Sequence, residues 1–142
     1  ANVRAHPLAE IAAPILINMP TFKRGLPSDL TAIIEIGKLE IVESTRTRGP
    51  MAPARTGLGI RPSMVRSAHG QAVLAFLSDE DRNLHVTAAK KTEGREARKW
   101  FEGSALNKAL ALTKERGFGL RDDDYFYRTC YCINRVRWTH RV

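Results

Sequence analysis

Apolar residues recur at helical spacing near the start of the chain. Leu8, Ile11, Ala12, Ile15 and Leu16 fall on one stripe between Pro7 and Asn18, with Glu10 outside it. Pro7 suits a first helical turn, and Pro14 is expected to kink or shorten the helix. The run Lys23-Arg24-Gly25-Leu26-Pro27 is a turn rich in breakers. The period then changes. Leu30 to Ile36 reads LTAIIEI and Leu39 to Val42 reads LEIV, two β-branched runs joined by Gly37-Lys38. The leading glycine of that link predicts a type II′ hairpin turn.

From Arg46 to Arg66 the pattern dissolves into Gly49, Pro50, Pro53, Gly57, Gly59 and Pro62. A stretch of this kind is either a surface loop or the lining of a functional site. Order returns at Ser67, an N-cap for a helix over Gly70 to Leu77 (GQAVLAFL). Ser78, with Asp81 three residues on, approximates a capping box for the next helix. Glu93 to Trp100 is polar and charged. A further helix is expected over Asn107 to Arg116, with Ala109 and Leu110 following Leu106 at helical spacing, Ser104 before it and Gly117 after. Phe118 to Leu120 reads as a strand start, Asp122 to Asp124 breaks it, and Tyr125 to Val136 reads as another strand. No repeat or low-complexity segment is present. Sheet and helices together predict one α/β domain of the α+β type over residues 1–142.

The chemistry-bearing residues form no recognised catalytic motif. There is no P-loop, G-x-G-x-x-G, G-x-S-x-G or H-E-x-x-H. The 4 histidines, His6, His69, His85 and His140, lack metal-like mutual spacing. Ser67 and His69 supply a nucleophile and a base without an orienting third group, so a capping role is preferred. Asp122 to Asp124 lacks the distal ligands of a calcium loop and reads as a turn or cap. The 2 cysteines, Cys130 and Cys132, share one strand face as C-x-C. Their separation suits a disulfide poorly, and they alone cannot complete a zinc site. They read as buried or pocket-lining thiols, with metal or redox chemistry the alternative. Neither a cofactor nor a resident metal is expected.

Charge alters the picture in one respect. The chain carries 23 Lys and Arg against 15 Asp and Glu, a formal net charge of +8. That excess invites a nucleic-acid reading. The basic residues are nevertheless spread over three groups, and no recognition helix or aromatic-basic sheet motif accompanies them. With 43% hydrophobic and 27% charged residues, the composition is that of a folded globular chain. No apolar run reaches the length of a membrane span, and no signal-peptide layout opens the chain, so a cytoplasmic location without membrane association is expected.

Three segments in order carry a family resemblance: LPSDLTAIIEIGKLEIVESTRTRGPM from Leu26, GLGIRPSMVRSAHGQAVLAFLSDEDR from Gly57, and LTKERGFGLRDDDY from Leu112. Together they resemble the effector-binding domain of IclR-type transcription regulators. The LPSDL and EST…PM elements resemble the branch that activates aromatic-acid catabolism. The resemblance covers about residues 5 to 125 and departs from the family in two places. Nothing before Leu26 matches the family's winged helix-turn-helix, and Tyr125 to Val142 fits its closing strands poorly.

The resemblance implies a GAF-like fold, a curved antiparallel sheet flanked by helices around a small-molecule cavity, in a domain that forms dimers or tetramers. It implies ligand contacts at Ser67, Ala68 and His69, and, more loosely, at Asp122 and Cys132. It also implies DNA binding only through the missing N-terminal domain. Physical reasoning adds that a helix start after Ser67 can hold a carboxylate, and that Arg61 or Arg66 can add a bidentate contact. The reading that follows is a non-catalytic sensor of a small organic acid, with an aromatic carboxylate as one candidate. Two alternatives stand beside it. A small hydrolase or isomerase using Ser67 and His69 would turn its ligand over. A basic nucleic-acid-binding module would bind with strong salt dependence.

Overall fold

A computed structural model of the chain describes residues 6–19, 28–45, 58–120 and 131–133. Helices and antiparallel strand pairs alternate along it, giving the expected α+β class. By internal contacts the chain groups into two compact units. One comprises residues 1–35 and 39–62, the other residues 36–38 and 63–142. No helix among the described residues is long and apolar enough to cross a membrane.

In the first unit, helix α1 spans Pro7–Asn18, the expected bounds. His6 caps it, with Nδ1 accepting from the Leu8 amide at 3.2 Å. Pro14 lies inside the helix without ending it. The expected apolar stripe is corrected. Ala9 and Leu16 are buried and Ala12 and Ala13 half-buried, whereas Ile11 and Ile15 are 65% and 60% exposed. Leu8, Ala12 and Leu16 of the stripe do turn inward, joined by Ala9 and Ala13, and only its two isoleucines face out.

Strands β1, Asp29–Glu35, and β2, Lys38–Ser44, form the hairpin. Its open end is pinned by two residues that sequence reading passed over. The Thr45 amide donates to the Ser28 carbonyl at 2.9 Å, and the Ser28 amide donates to Thr45 Oγ1 at 2.8 Å. The Ser44 hydroxyl donates to the Asp29 carboxylate. Part of the stretch expected to be irregular also joins β2. Ile41 donates its amide to the Ile60 carbonyl (2.8 Å) and accepts from the Gly59 amide (3.0 Å). Gly59, at φ +85°, turns the chain into this pairing.

In the second unit, the hairpin turn is shifted by one residue from expectation. Ile36 and Gly37 occupy it, and Lys38 already belongs to β2. Gly37 is therefore the second turn residue, at φ +79°, and not the leading glycine of a type II′ turn. The turn packs on helix α3, which spans Asp79–Thr92. The Gly37 amide donates to His85 Nδ1 at 2.9 Å, and a Cβ on Gly37 would lie 2.7 Å from that of Ala88. Two constraints thus select glycine: a left-handed φ and the absence of space.

Helix α2, Ala68–Phe76, precedes α3. Six of its nine residues are buried, among them Ala72 and Leu74 at 0% exposure. Both expected caps are present: Ser67 Oγ accepts from the Gly70 amide at 2.9 Å, and Ser78 Oγ from the Asp81 amide at 3.2 Å. Arg82, in the first part of α3, serves the end of α2. Its Nε donates to the Leu74 carbonyl (2.9 Å), its Nη2 to the Leu77 carbonyl (3.0 Å), and its Nη1 to Asp79 (2.8 Å). Terminal carbonyls that the helix leaves unpaired are satisfied this way. The polar Glu93–Trp100 stretch holds a 3-10 turn, Arg95–Ala97, and leads into the short helix α4, Arg98–Phe101. Helix α5, Ala105–Arg116, ends at Gly117 in the left-handed region (φ +83°), as the glycine implied. Strands β3, Phe118–Leu120, and β4, Tyr131–Ile133, pair antiparallel in the register Phe118 to Ile133, Gly119 to Cys132 and Leu120 to Tyr131.

The Gly37 geometry generates a prediction. Gly37→Val should lower unfolding stability by about 1 kcal/mol or more, from backbone strain and displacement of Ala88. An unchanged urea midpoint would show that neither constraint operates.

Candidate functional site at the entry to helix α2

The segment from Ser63 to Gly70 turns sharply before α2, and hydrogen bonds from serines and a distant glutamate fix it. Ser67 Oγ donates to the Ser63 carbonyl at 2.6 Å while accepting from the Gly70 amide. Ser63 Oγ accepts from the Arg66 amide at 3.0 Å and donates to Glu93 Oε2. The other Glu93 oxygen accepts from the Met64 amide. Glu93 stands at the C-terminal end of α3, where its own amide donates to the Ala89 carbonyl at 2.7 Å. One carboxylate therefore ties the end of α3 to the turn before α2. Met64 and Val65, both at 0% exposure, fill the space beneath.

Backbone crowding adds to this. A Cβ on Gly70 would collide with the Met64 carbonyl, and one on Gly119 with the Ala68 carbonyl. The start of α2 and strand β3 meet backbone to backbone, and β4 lies next in register.

The residues expected at a ligand site distribute as follows. Ser67 is 6% exposed with both hydroxyl functions engaged, and Ala68 is 1% exposed. His69 is half-buried on the first turn of α2. Cys132 is paired in register with Gly119, the residue against which Ala68 packs, so the backbones of Ala68 and Cys132 are brought to one place. Arg66 directs Nη1 to Glu96 Oε2 at 2.6 Å. Arg61 belongs to the first unit, where it pairs with Glu40 at 3.4 Å and is 58% exposed. Asp122, with the Asp122–Asp124 run, lies outside the described residues, as does most of the loop from Arg46 onward. No group of three or more histidines, cysteines and carboxylates is poised for a metal among the described residues.

Sequence reasoning missed Ser63 and Glu93. Thirty residues separate them, and nothing local marks Glu93 as more than a polar residue after a helix. The arrangement makes the α2 entry a rigid backbone cradle. It gives Ser67 a capping task, since its proton is directed to a carbonyl and not to a base.

No family model matches the sequence, and no curated protein does. The fold does match solved structures. An IclR family transcriptional regulator from Brucella abortus superposes with a TM-score of 0.61 at 17% identity, over 81% of this chain and 42% of that one. The IclR of Thermotoga maritima superposes with a TM-score of 0.61 at 17% identity, over 82% of this chain and 46% of that one. The chain spans less than half the length of these regulators, and over that span it has their fold.

The Glu93 tie yields a stability prediction. Glu93→Ala leaves the Met64 amide and Ser63 hydroxyl without their acceptor and should cost about 1–3 kcal/mol. Chemical denaturation that finds the variant as stable as the parent would remove Glu93 from this role.

Proposed function

We propose that this chain is the effector-sensing domain of a transcription regulator of the IclR type. The observation that carries the reading is the fold shared with two solved regulators over about four-fifths of the chain. A shared fold alone does not assign an activity. The α2 entry therefore supplies the second support. Its committed serine disfavours use of Ser67 and His69 as a hydrolytic pair.

In this reading the ligand is a small organic acid, with aromatic carboxylates the first to examine. Its carboxylate sits at the start of α2, where helix N–H groups and the dipole favour negative charge. His69, Arg66 and the region of Cys132 surround it, and Asp122 is a further candidate. The domain is GAF-like, assembles as a dimer or tetramer, and acts on DNA through a separate helix-turn-helix domain. Ligand binding shifts the arrangement of those DNA-binding domains by favouring one of two states. The domain itself is non-catalytic and acts away from membranes. The alternative of a basic nucleic-acid module rests on net charge alone.

A thermal-shift screen of small carboxylates tests this directly. At least one should raise the melting temperature by linkage and be recovered unchanged after incubation. Calorimetric titration of that compound should show His69→Ala binding about fivefold more weakly, or worse. Ligand turnover, or equal affinities for folded wild type and His69→Ala, would contradict the proposal.

A further inference from the structure

Helices α2, α4 and α5 and strand β3 enclose a cleft of about 460 Å³ within the second unit. That volume falls in the range of small-molecule pockets. Its charge is unbalanced: Arg66, Lys99 and Arg116 line it against one carboxylate, Glu96. Glu96 is already paired with Arg66 at 2.6 Å and is 80% exposed, so that pair is weak and open to competition. Among the described residues, Lys99 and Arg116 have no such partner on the cleft wall. Instead, Lys99 Nζ stands 5.8 Å from the Trp100 ring centroid, near the outer limit for a cation–π contact.

The floor of the cleft is polar and fixed. Gln71 is only 4% exposed, and its Nε2 donates to the Val65 carbonyl at 3.2 Å. Gln71 still offers a ligand its acceptor, Oε1, beside the second N–H of its amide. The remaining walls, from α5 and β3, are largely apolar.

We infer that this cleft is a binding site, sharing only Arg66 with the α2 entry, for a small organic anion with a flat ring and a ring hydrogen-bond donor. The anion meets Arg66 and Arg116 in charge-assisted bonds, displacing Glu96 from Arg66. The ring lies on Trp100 in an offset stack beside Lys99. The donor reaches Gln71 Oε1. A cation of the same shape is disfavoured, because among the described lining residues Lys99 and Arg116 face it without a paired carboxylate. The inference does not depend on the regulator reading: Arg66 is shared with the α2 entry, but Gln71, Trp100 and Arg116 belong to α2, α4 and α5 and not to the Ser67–His69 turn.

Indole-3-acetate is a suitable probe, having a carboxylate, a flat ring and a ring N–H. Tryptamine carries the same ring with the opposite charge. The ¹⁵N-labelled chain is titrated with each, and the Trp100 indole N–H resonance is assigned by its loss in Trp100→Phe. Indole-3-acetate should shift that resonance saturably, and tryptamine should not. Arg116→Gln, a change at an exposed helix end, should raise the dissociation constant about fivefold or more. Lys114→Gln, an exposed change on α5 outside the cleft, should leave it unchanged. No saturable shift up to millimolar probe, an equal response to tryptamine, or an unaltered affinity in Arg116→Gln would overturn the inference. Weakening by His69→Ala with none by Arg116→Gln would locate the anion at the α2 entry, which removes the cleft site while favouring the regulator reading.

Discussion

The second unit depends on one close approach: the carbonyl of Ala68, at the first residue of α2, lies where a side chain on Gly119 would have to be. That contact sets the distance between α2 and β3. It leaves no room for a methyl group, so the glycine is a packing requirement and not a source of flexibility. β4 follows from it, because Cys132 is the register partner of Gly119. Around this point the α2 entry is braced by Ser63, Ser67 and Glu93, and the far end of α2 by Arg82. A nine-residue helix is too short to be stable alone. Burial of Ala72, Leu74 and Ala75, together with caps at both ends, is what holds it.

Much of this was legible locally. The bounds of α1, the Ser67 and Ser78 caps, the Gly117 stop and the Phe118–Leu120 strand all follow from short-range rules. Each is a backbone preference expressed within four residues. The hairpin was legible as well, but its turn was misplaced by one residue. Gly37 satisfies either reading in sequence, and the choice is made by Ala88 and His85, about fifty positions away. The α1 stripe failed for a related reason. Periodicity finds an apolar face but does not say which of its members turn inward: Leu16 does, and Ile11 and Ile15 do not.

The candidate site was less legible than the fold. Ser67 and His69 suggest a nucleophile and base on paper, and the structure gives the Ser67 proton to Ser63. Arg61 and Arg66 look alike in sequence, yet one pairs with Glu40 on the hairpin and the other with Glu96 at the edge of the cleft. Glu93 and Gln71 carried no signal, because their tasks exist only once α2, α3 and the Ser63–Ser67 turn are assembled. The cleft shows the same lesson for charge. A net excess of +8 suggested nucleic acid, whereas three of those cations converge with Trp100 and Gln71 on a volume of small-molecule size.

The Ala68–Gly119 contact organises this unit, and Gly119→Ala tests it with a single added methyl group. Overpacking at a site formed by two backbones cannot be relieved by rotating a side chain, so a loss of about 1–3 kcal/mol is expected. Equilibrium urea unfolding of the parent and Gly119→Ala chains measures it. A lower midpoint with an unchanged denaturant slope is the result this structure requires. Coincident unfolding curves would mean that α2 and β3 do not meet at this distance, and the packing that organises the candidate site would have to be redrawn.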